Sequence, residues 1–395
     1  MVKGTMKKFL KNLNLYVEKT KSIREIILTN IVLIGQTPYS RKTKSDFDYL
    51  ERTEIFLERL SDANADECTM DSYGNPYAII KGKSKTKPPI MLVAHMDTLF
   101  ESDHEFHYSI TNEQIIGPGL LDNSLGVGVL MSIPDILKVL KIQFQSDLIL
   151  VGLPESLREN NLKSIREVLS FWKHPLRGAV CIEGGIKGRL NYYSKGMVQA
   201  EVECRVPVAL GWDRRHGVNA IVIANEIINN MLKIRLPQRP KTEIIIGKFR
   251  GGVQHGDIPL FAKLGFEIHS DSDKMVEETY YKIEEICTEL SMEYGAKIDL
   301  IKINNVKAAS LTYHHPLVKS AIQVMDALGI KPMIESSESE LSVFLHNKIP
   351  AITIGIANGE NYHQEDERIN IDSMYRGIAQ LIGIITAIDR GVCDE

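Results

Sequence analysis

The chain has 395 residues, 44% of them hydrophobic and 25% charged, with a formal net charge of −4 at pH 7. That length is too great for one compact core, so two domains are expected. The charge balance offers no basic footprint for nucleic acid, and no apolar run nears the roughly 20 residues of a membrane span, so neither is expected as a partner.

The spacing of Phe9, Leu13, Tyr16 and Val17, followed by Ile23, Ile26 and Ile27, predicts helix over 1–35. Residues 1–16 lack the apolar centre of a signal peptide. A second helix is predicted over 45–60, with Tyr49, Ile55, Phe56 and Leu60 on one face. The segment 71–76 is dense in turn formers. A short strand follows at 77–81, then the apolar run 90–94, which lacks alternation and reads as a strand buried on both faces. Another short strand covers 113–116. A helix is predicted over 126–140, capped by Asn123 or Ser124 and kinked or split at Pro134. An apolar strand at 147–153, a helix at 162–172 and an apolar strand at 178–182 complete a strand–helix alternation, the pattern of an α/β domain with a mostly parallel sheet.

The texture changes after Lys195. Residues 197–206 alternate apolar and polar, as in a half-exposed strand. Helix 220–232, strands 241–248 and 265–270, helix 276–294 and strand 296–303 then give the β-α-β-β-α-β order of a ferredoxin-like module. Its alternating strands leave a face or edge open, which a second copy of the chain would cover. From Pro316 the first texture returns: helix 317–328, strand 330–335, helix 341–346, strand 351–355 and a closing helix over 371–388. The expected organisation is a discontinuous α/β domain, 1–195 with 305–395, carrying an inserted α+β lid over 196–304. The five cysteines are scattered and odd in number, which fits reduced thiols in a cytoplasm and not a disulfide framework.

Chemistry gathers at the strand ends. The run 90–94 leads into His95, and Asp97 is placed to hydrogen-bond its imidazole and fix the tautomer. Asp122 precedes the helix at 126, Glu155 follows the strand at 147–153, and Glu183 follows the strand at 178–182. His363 lies in the polar loop 359–367. In open α/β sheets ligands bind beyond the carboxyl ends of the strands. Imidazoles and carboxylates together suit zinc, cobalt or manganese. An aspartate at a loop-to-helix junction could bridge two ions, and a nearby glutamate could carry a proton.

Ala94-His95-Met96-Asp97-Thr98, then Gly117 to Asn123, then Glu183-Gly184-Gly185, then Asn361-Tyr362-His363 with Glu367 downstream, together resemble the M20 metallopeptidases. That family includes tripeptidases, glutamate carboxypeptidases, aminoacylases and desuccinylases, and the resemblance spans nearly the whole chain. It implies that His95, Asp122 and Glu183 hold one ion, that Asp122 bridges to a second held also by His363, that Asp97 orients His95, and that Glu155 is the general base. It also implies a cis peptide bond between Asp122 and Asn123. The implied activity is cleavage of an amide bond in a short peptide or N-acyl amino acid by a metal-bound hydroxide, peptidase ahead of deacylase, in a zinc enzyme with one or two ions per chain.

The chain departs from the family pattern at several points. Where the family carries two adjacent glutamates, this sequence has Glu155-Ser156. Either Glu159 reaches round, or the register shifts by one, or the second metal position is weakened. In the lid, the family arginine that clamps a substrate carboxylate is replaced by His269 and a family asparagine by His255; His216 is the counterpart of a histidine that reaches across the dimer. Glu340 stands in place of an aspartate near the substrate. These departures support an alternative reading, a non-catalytic binding or regulatory protein on the same fold.

Overall fold

The structure, a computed structural model, describes residues 10–39, 50–100, 105–157, 162–207, 218–337 and 339–394. The chain divides into two compact units, Met1–Tyr193 with Ser310–Glu395, and Ser194–Ala309.

The first unit is built on an eight-stranded sheet. In chain order its strands are β1 (Glu67–Met70), β2 (Pro76–Ile80), β3 (Ile90–His95), β4 (Leu148–Leu153), β5 (Gly178–Glu183), β6 (Arg189–Asn191), β7 (Met333–Ile334) and β8 (Ala351–Gly355). They lie in the order β1-β2-β4-β3-β5-β8-β6-β7. The central four are parallel, and every residue in them is buried. That explains the unbroken apolar runs: neither face meets water. On one face Ile90, Leu92, Val180 and Ile352 pack against helices that include Arg24–Gln36, Leu125–Met131 and Ile371–Asp389. On the other, Met91, Val93, Ile149 and Cys181 pack against Ile165, Val168 and Phe344. Antiparallel strands extend the sheet at both sides.

Local departures from the sequence reading have identifiable causes. The helix expected over 1–35 is two helices where described, Leu13–Lys21 and Arg24–Gln36, parted at Ser22 and Ile23; residues 1–9 lie outside the described residues. The second helix is Leu50–Asp62, and 45–49 lie outside the described residues. Pro134 sits in the first turn of Ile133–Leu140, where its missing N–H costs nothing. The segment before it bends away by 51°.

The second unit is a four-stranded antiparallel sheet, Gly196–Arg205 and Phe261–Ser270 in the centre with Thr242–Gly251 and Lys297–Val306 at the edges. Along Gly196–Arg205, Val198, Ala200, Val202 and Cys204 point to one face, where Ile223, Ile227 and Ile283 of helices Ala220–Lys233 and Asp273–Tyr294 cover them. Their neighbours Glu201 and Glu203 pair with Lys248, Lys263 and Arg205 on the other face. This is the alternation of a sheet with one face packed. Among the described residues, no single helix is long and apolar enough to cross a membrane, and no disulfide joins the cysteines.

Candidate metal centre

Strand register brings the first two ligand candidates together. β3 runs parallel to β4 with His95 opposite Leu153, and β5 runs parallel to β8 with Glu183 opposite Gly355. Parallel strands in step end at one rim, and His95 and Glu183 stand there, both buried. Asp122 arrives from the turn before Leu125–Met131. Neither Asn123 nor Ser124 caps that helix, contrary to expectation. The Asn123 amide instead donates to Ile182 O at 2.8 Å and accepts from Gly184 N at 2.7 Å, tying the turn to the end of β5. The approach leaves no room at Gly184, where a Cβ would lie 2.7 Å from Leu121 O. The Asp122–Asn123 peptide bond is cis.

One nitrogen or oxygen each from His95, Asp122 and Glu183 falls within 4.8 Å of the others. His95 Nε2 is 2.9 Å from Asp122 Oδ1 and 3.9 Å from Glu183 Oε2. Bonds of 2.0–2.2 Å in a tetrahedral zinc site put donors about 3.3 Å apart, so the spacing fits a divalent cation after small adjustment. His363 Nε2 stands 3.0 Å from the other oxygen of Asp122. The Asp122 carboxylate therefore turns one oxygen to each imidazole, as a bridging ligand does. His95 Nδ1 faces Asp97, 3.3 Å from Oδ1 and 3.2 Å from the backbone oxygen, which leaves Nε2 directed at the cluster. Asp97 Oδ2 accepts the backbone N–H groups of Ser156 and Leu157 at 2.9 and 2.7 Å, coupling His95 to the loop after β4.

The electrostatics follow from burial against proximity. Burial works against a charged His95, but its hydrogen bonds to the Asp122, Asp97 and Glu183 carboxylates outweigh it and push its pKa up. Burial would raise the Asp122 pKa, and the two imidazoles outweigh that and depress it. His363 is raised, chiefly by its bond to Asp122. A centre that stabilises negative carboxylates beside nitrogen donors is one that a cation would neutralise.

The remaining sequence candidates are placed differently. Glu155 follows β4 but stands outside this cluster of three; its carboxylate pairs with Lys163 Nζ at 2.5 Å. Ser156 is buried, with its hydroxyl lacking a hydrogen bond of ordinary geometry. Glu340 is 3% exposed. Burial raises its pKa; His95, Glu183 and Ser156 also act on its carboxyl. His269 is buried in the second unit with Nε2 2.8 Å from Glu267, while His255 is exposed in the turn after Thr242–Gly251. His216 and Glu159 lie outside the described residues.

Two residues carry more than the sequence reading gave them. Glu367 is fully buried, and its two oxygens accept the N–H groups of Leu121 and His363, each at 2.6 Å. Burial, opposed by those bonds, lifts its pKa to about 7. Arg189 lines a cavity of about 350 Å³ with Asp122, Glu183, Ser336, Ser339 and Tyr362. It lies on a three-residue strand, too short for any periodicity to mark it.

The model of the family described as Peptidase family M20/M25/M40 matches residues 91–387. Peptidase T of Macrococcus caseolyticus is 29% identical over 216 residues, covering 52% of this chain and 51% of that protein. Peptidase T of Clostridium perfringens (strain SM101) is 23% identical over 397 residues, covering 88% and 93%. The chain thus spans about half the length of the first curated relatives it matches. Solved structures share the fold, among them the following two. Aminopeptidase PepT from Bacillus cereus has a TM-score of 0.73 at 18% identity, covering 92% of this chain and 98% of that one. The di-peptidase Dug1p from Saccharomyces cerevisiae has a TM-score of 0.77 at 12% identity, covering 96% and 98%. The matched family region starts in β3 and runs into the closing helix, taking in all four residues of the centre, and the chain belongs to peptidase family M20/M25/M40.

Proposed function

We propose that this protein is a metal-dependent hydrolase that cleaves an amide bond in short peptides, as an exopeptidase, with N-acyl amino acids as the next substrate class. The observation that carries the reading is the meeting of His95, Asp122 and Glu183 donors within 4.8 Å at one rim of the sheet, with His363 on the far oxygen of Asp122. His95, Asp122 and Glu183 would hold a divalent cation, zinc in the first place with cobalt or manganese as substitutes. Asp122 and His363 would contribute to a second. Such a cation, when bound, polarises a scissile carbonyl and acidifies water.

The chain's own groups do the rest. Asp97 holds the His95 ring with Nε2 toward the cluster, and Glu367 fixes the backbone at Leu121, next to Asp122, and at His363. Glu155 takes a proton from the attacking water and passes it to the leaving amine. Its position two residues past the end of β4, the strand parallel to and in step with β3, supports that role.

The five cysteines, scattered and odd in number, support a reducing compartment, the cytoplasm. Exposed Ile245 and Phe249 on one edge strand of the second unit, with Ile301 and Ile303 on the other, support a homodimer through that unit. A second reading, a non-catalytic binding protein on this fold, draws on Ser156 and on the engagement of Glu155 by Lys163. The test is hydrolysis of alanine dipeptides and tripeptides by zinc-loaded protein. Cleavage that His95→Ala abolishes supports the enzyme; bound zinc with no turnover of any short peptide or N-acetyl amino acid supports the binding protein.

A further inference from the structure

We propose that a second cavity, at the rim of the main sheet opposite the metal centre, binds a carboxylate that has an apolar body and no ammonium group. The cavity encloses about 390 Å³, within the range of small-molecule sites. It is lined by residues just past helix Leu50–Asp62, by helix Ile133–Leu140, by the end of β2 and by the segment leading into β4. Ile80 of β2 pairs with Leu148 of β4, so the cavity lies where β4 begins. Leu153, at the other end of β4, is the residue opposite His95. Five steps of about 3.3 Å part those two ends, roughly 16 Å in all, and the cavity and the ligand cluster are separate sites.

The lining has two textures. Ile80, Leu137, Ile142, Phe144 and Leu148 are apolar, and three of them, Leu137, Phe144 and Leu148, belong to the buried core of the first unit. Lys81 and Lys138 are its cations, both exposed. Neither ammonium is paired with a carboxylate among the described residues. No acid lines the cavity, and its other polar side chains, Asn64, Gln143 and Ser146, are neutral. A lone surface lysine is ordinary. Two beside one apolar cavity, with no acid between them, accommodate apolar surface and an anion together.

Two helices end here, and a helix C-terminus disfavours anions. Their last carbonyls are already occupied: Leu60 O accepts the N–H of Ala65 and Leu137 O that of Ile142, each at 3.0 Å. Lys138 adds a positive charge in the last turn of its helix. The lining is therefore positive overall. It disfavours a free amino acid or peptide, whose ammonium would meet the lysines with no carboxylate to receive it. The ligand class thus differs from the peptides of the metal centre.

The probes are octanoate, hexanoate and octylammonium, each titrated by calorimetry below its micelle concentration into zinc-loaded protein. Octanoate should bind at one equivalent per chain, hexanoate about tenfold more weakly for the two methylenes it lacks, and octylammonium not at all. The double variant Lys81→Gln/Lys138→Gln should bind octanoate about three- to thirtyfold more weakly, the range of two solvent-screened charge pairs. Its zinc content and thermal unfolding midpoint should match the wild type, which shows that it is folded. His95→Ala should bind octanoate as the wild type does. Absence of saturable octanoate binding overturns the proposal. So does equal affinity for octylammonium, equal affinity for hexanoate, or an octanoate affinity that the lysine substitutions leave unmoved. Loss of octanoate binding in His95→Ala overturns it too, because the carboxylate then sits on the metal.

Discussion

The Glu367 carboxylate accepts the backbone N–H of Leu121 at 2.6 Å, across 246 positions of sequence. Its other oxygen accepts the N–H of His363. One buried acid thus sets the backbone beside Asp122 and the backbone of His363, two residues whose side chains must meet. Removing it leaves both side chains in place but frees the loops that carry them. Glu367→Ala is expected to weaken zinc binding about 10- to 100-fold, the usual cost of losing a supporting partner behind a metal ligand, measured by competition with a chromogenic chelator. Zinc affinity equal to that of the wild type would show that the two loops are held in position by other contacts.

Glu155 and Lys163 form a pair at 2.5 Å, both on the loop-to-helix segment that follows β4. If Glu155 carries the proton, Glu155→Gln should lower kcat by about 10²- to 10⁴-fold with zinc content unchanged. Retained kcat would transfer the role to another carboxyl, and buried Glu340, on which Ser156, His95 and Glu183 act, would be the next to substitute.

Glu201 in the second unit gives a pH dependence with a definite sign. Burial would raise its pKa, but Lys263 at 2.5 Å and Lys248 at 2.9 Å outweigh burial and hold it below the ordinary value. With the folded pKa depressed, the unfolded chain binds the proton more tightly. The contribution is present above the unfolded value, near 4.3, and is lost as pH falls through the folded one. The stability gap between wild type and Glu201→Gln, about 1 kcal/mol or less for a solvent-screened pair, should therefore be full at pH 7 and shrink below about pH 4. Urea unfolding across that range measures it; a gap that grows on acidification contradicts the assignment.

Much of this was legible in the chain because burial on both faces writes itself as an unbroken apolar run. β3, β4, β5 and β8 were each readable, and so was the polar side chain that follows or ends each of the first three. The alternation over Gly196–Arg205 likewise announced a sheet packed on one face only. β1 was missed because Glu67-Cys68-Thr69-Met70 is an exposed edge with no pattern. The sequence offers Asn123 or Ser124 as a helix cap because the true partners of Asn123, Ile182 and Gly184, are about 60 residues away and become neighbours only when β5 is in the sheet. The Glu155 pairing with Lys163, eight positions on, follows no periodicity that the sequence displays. Arg189 and Glu367 act through placement alone.

We propose that His95, Asp122 and Glu183 grip a divalent cation. Elemental analysis of protein reconstituted with zinc and then freed of excess tests it most directly, with His95→Ala and Glu183→Ala alongside. About one ion or more per chain is expected in the wild type, falling to a small fraction in both variants. Fewer than about 0.1 ion per chain in the wild type, or full occupancy in both variants, would contradict the account.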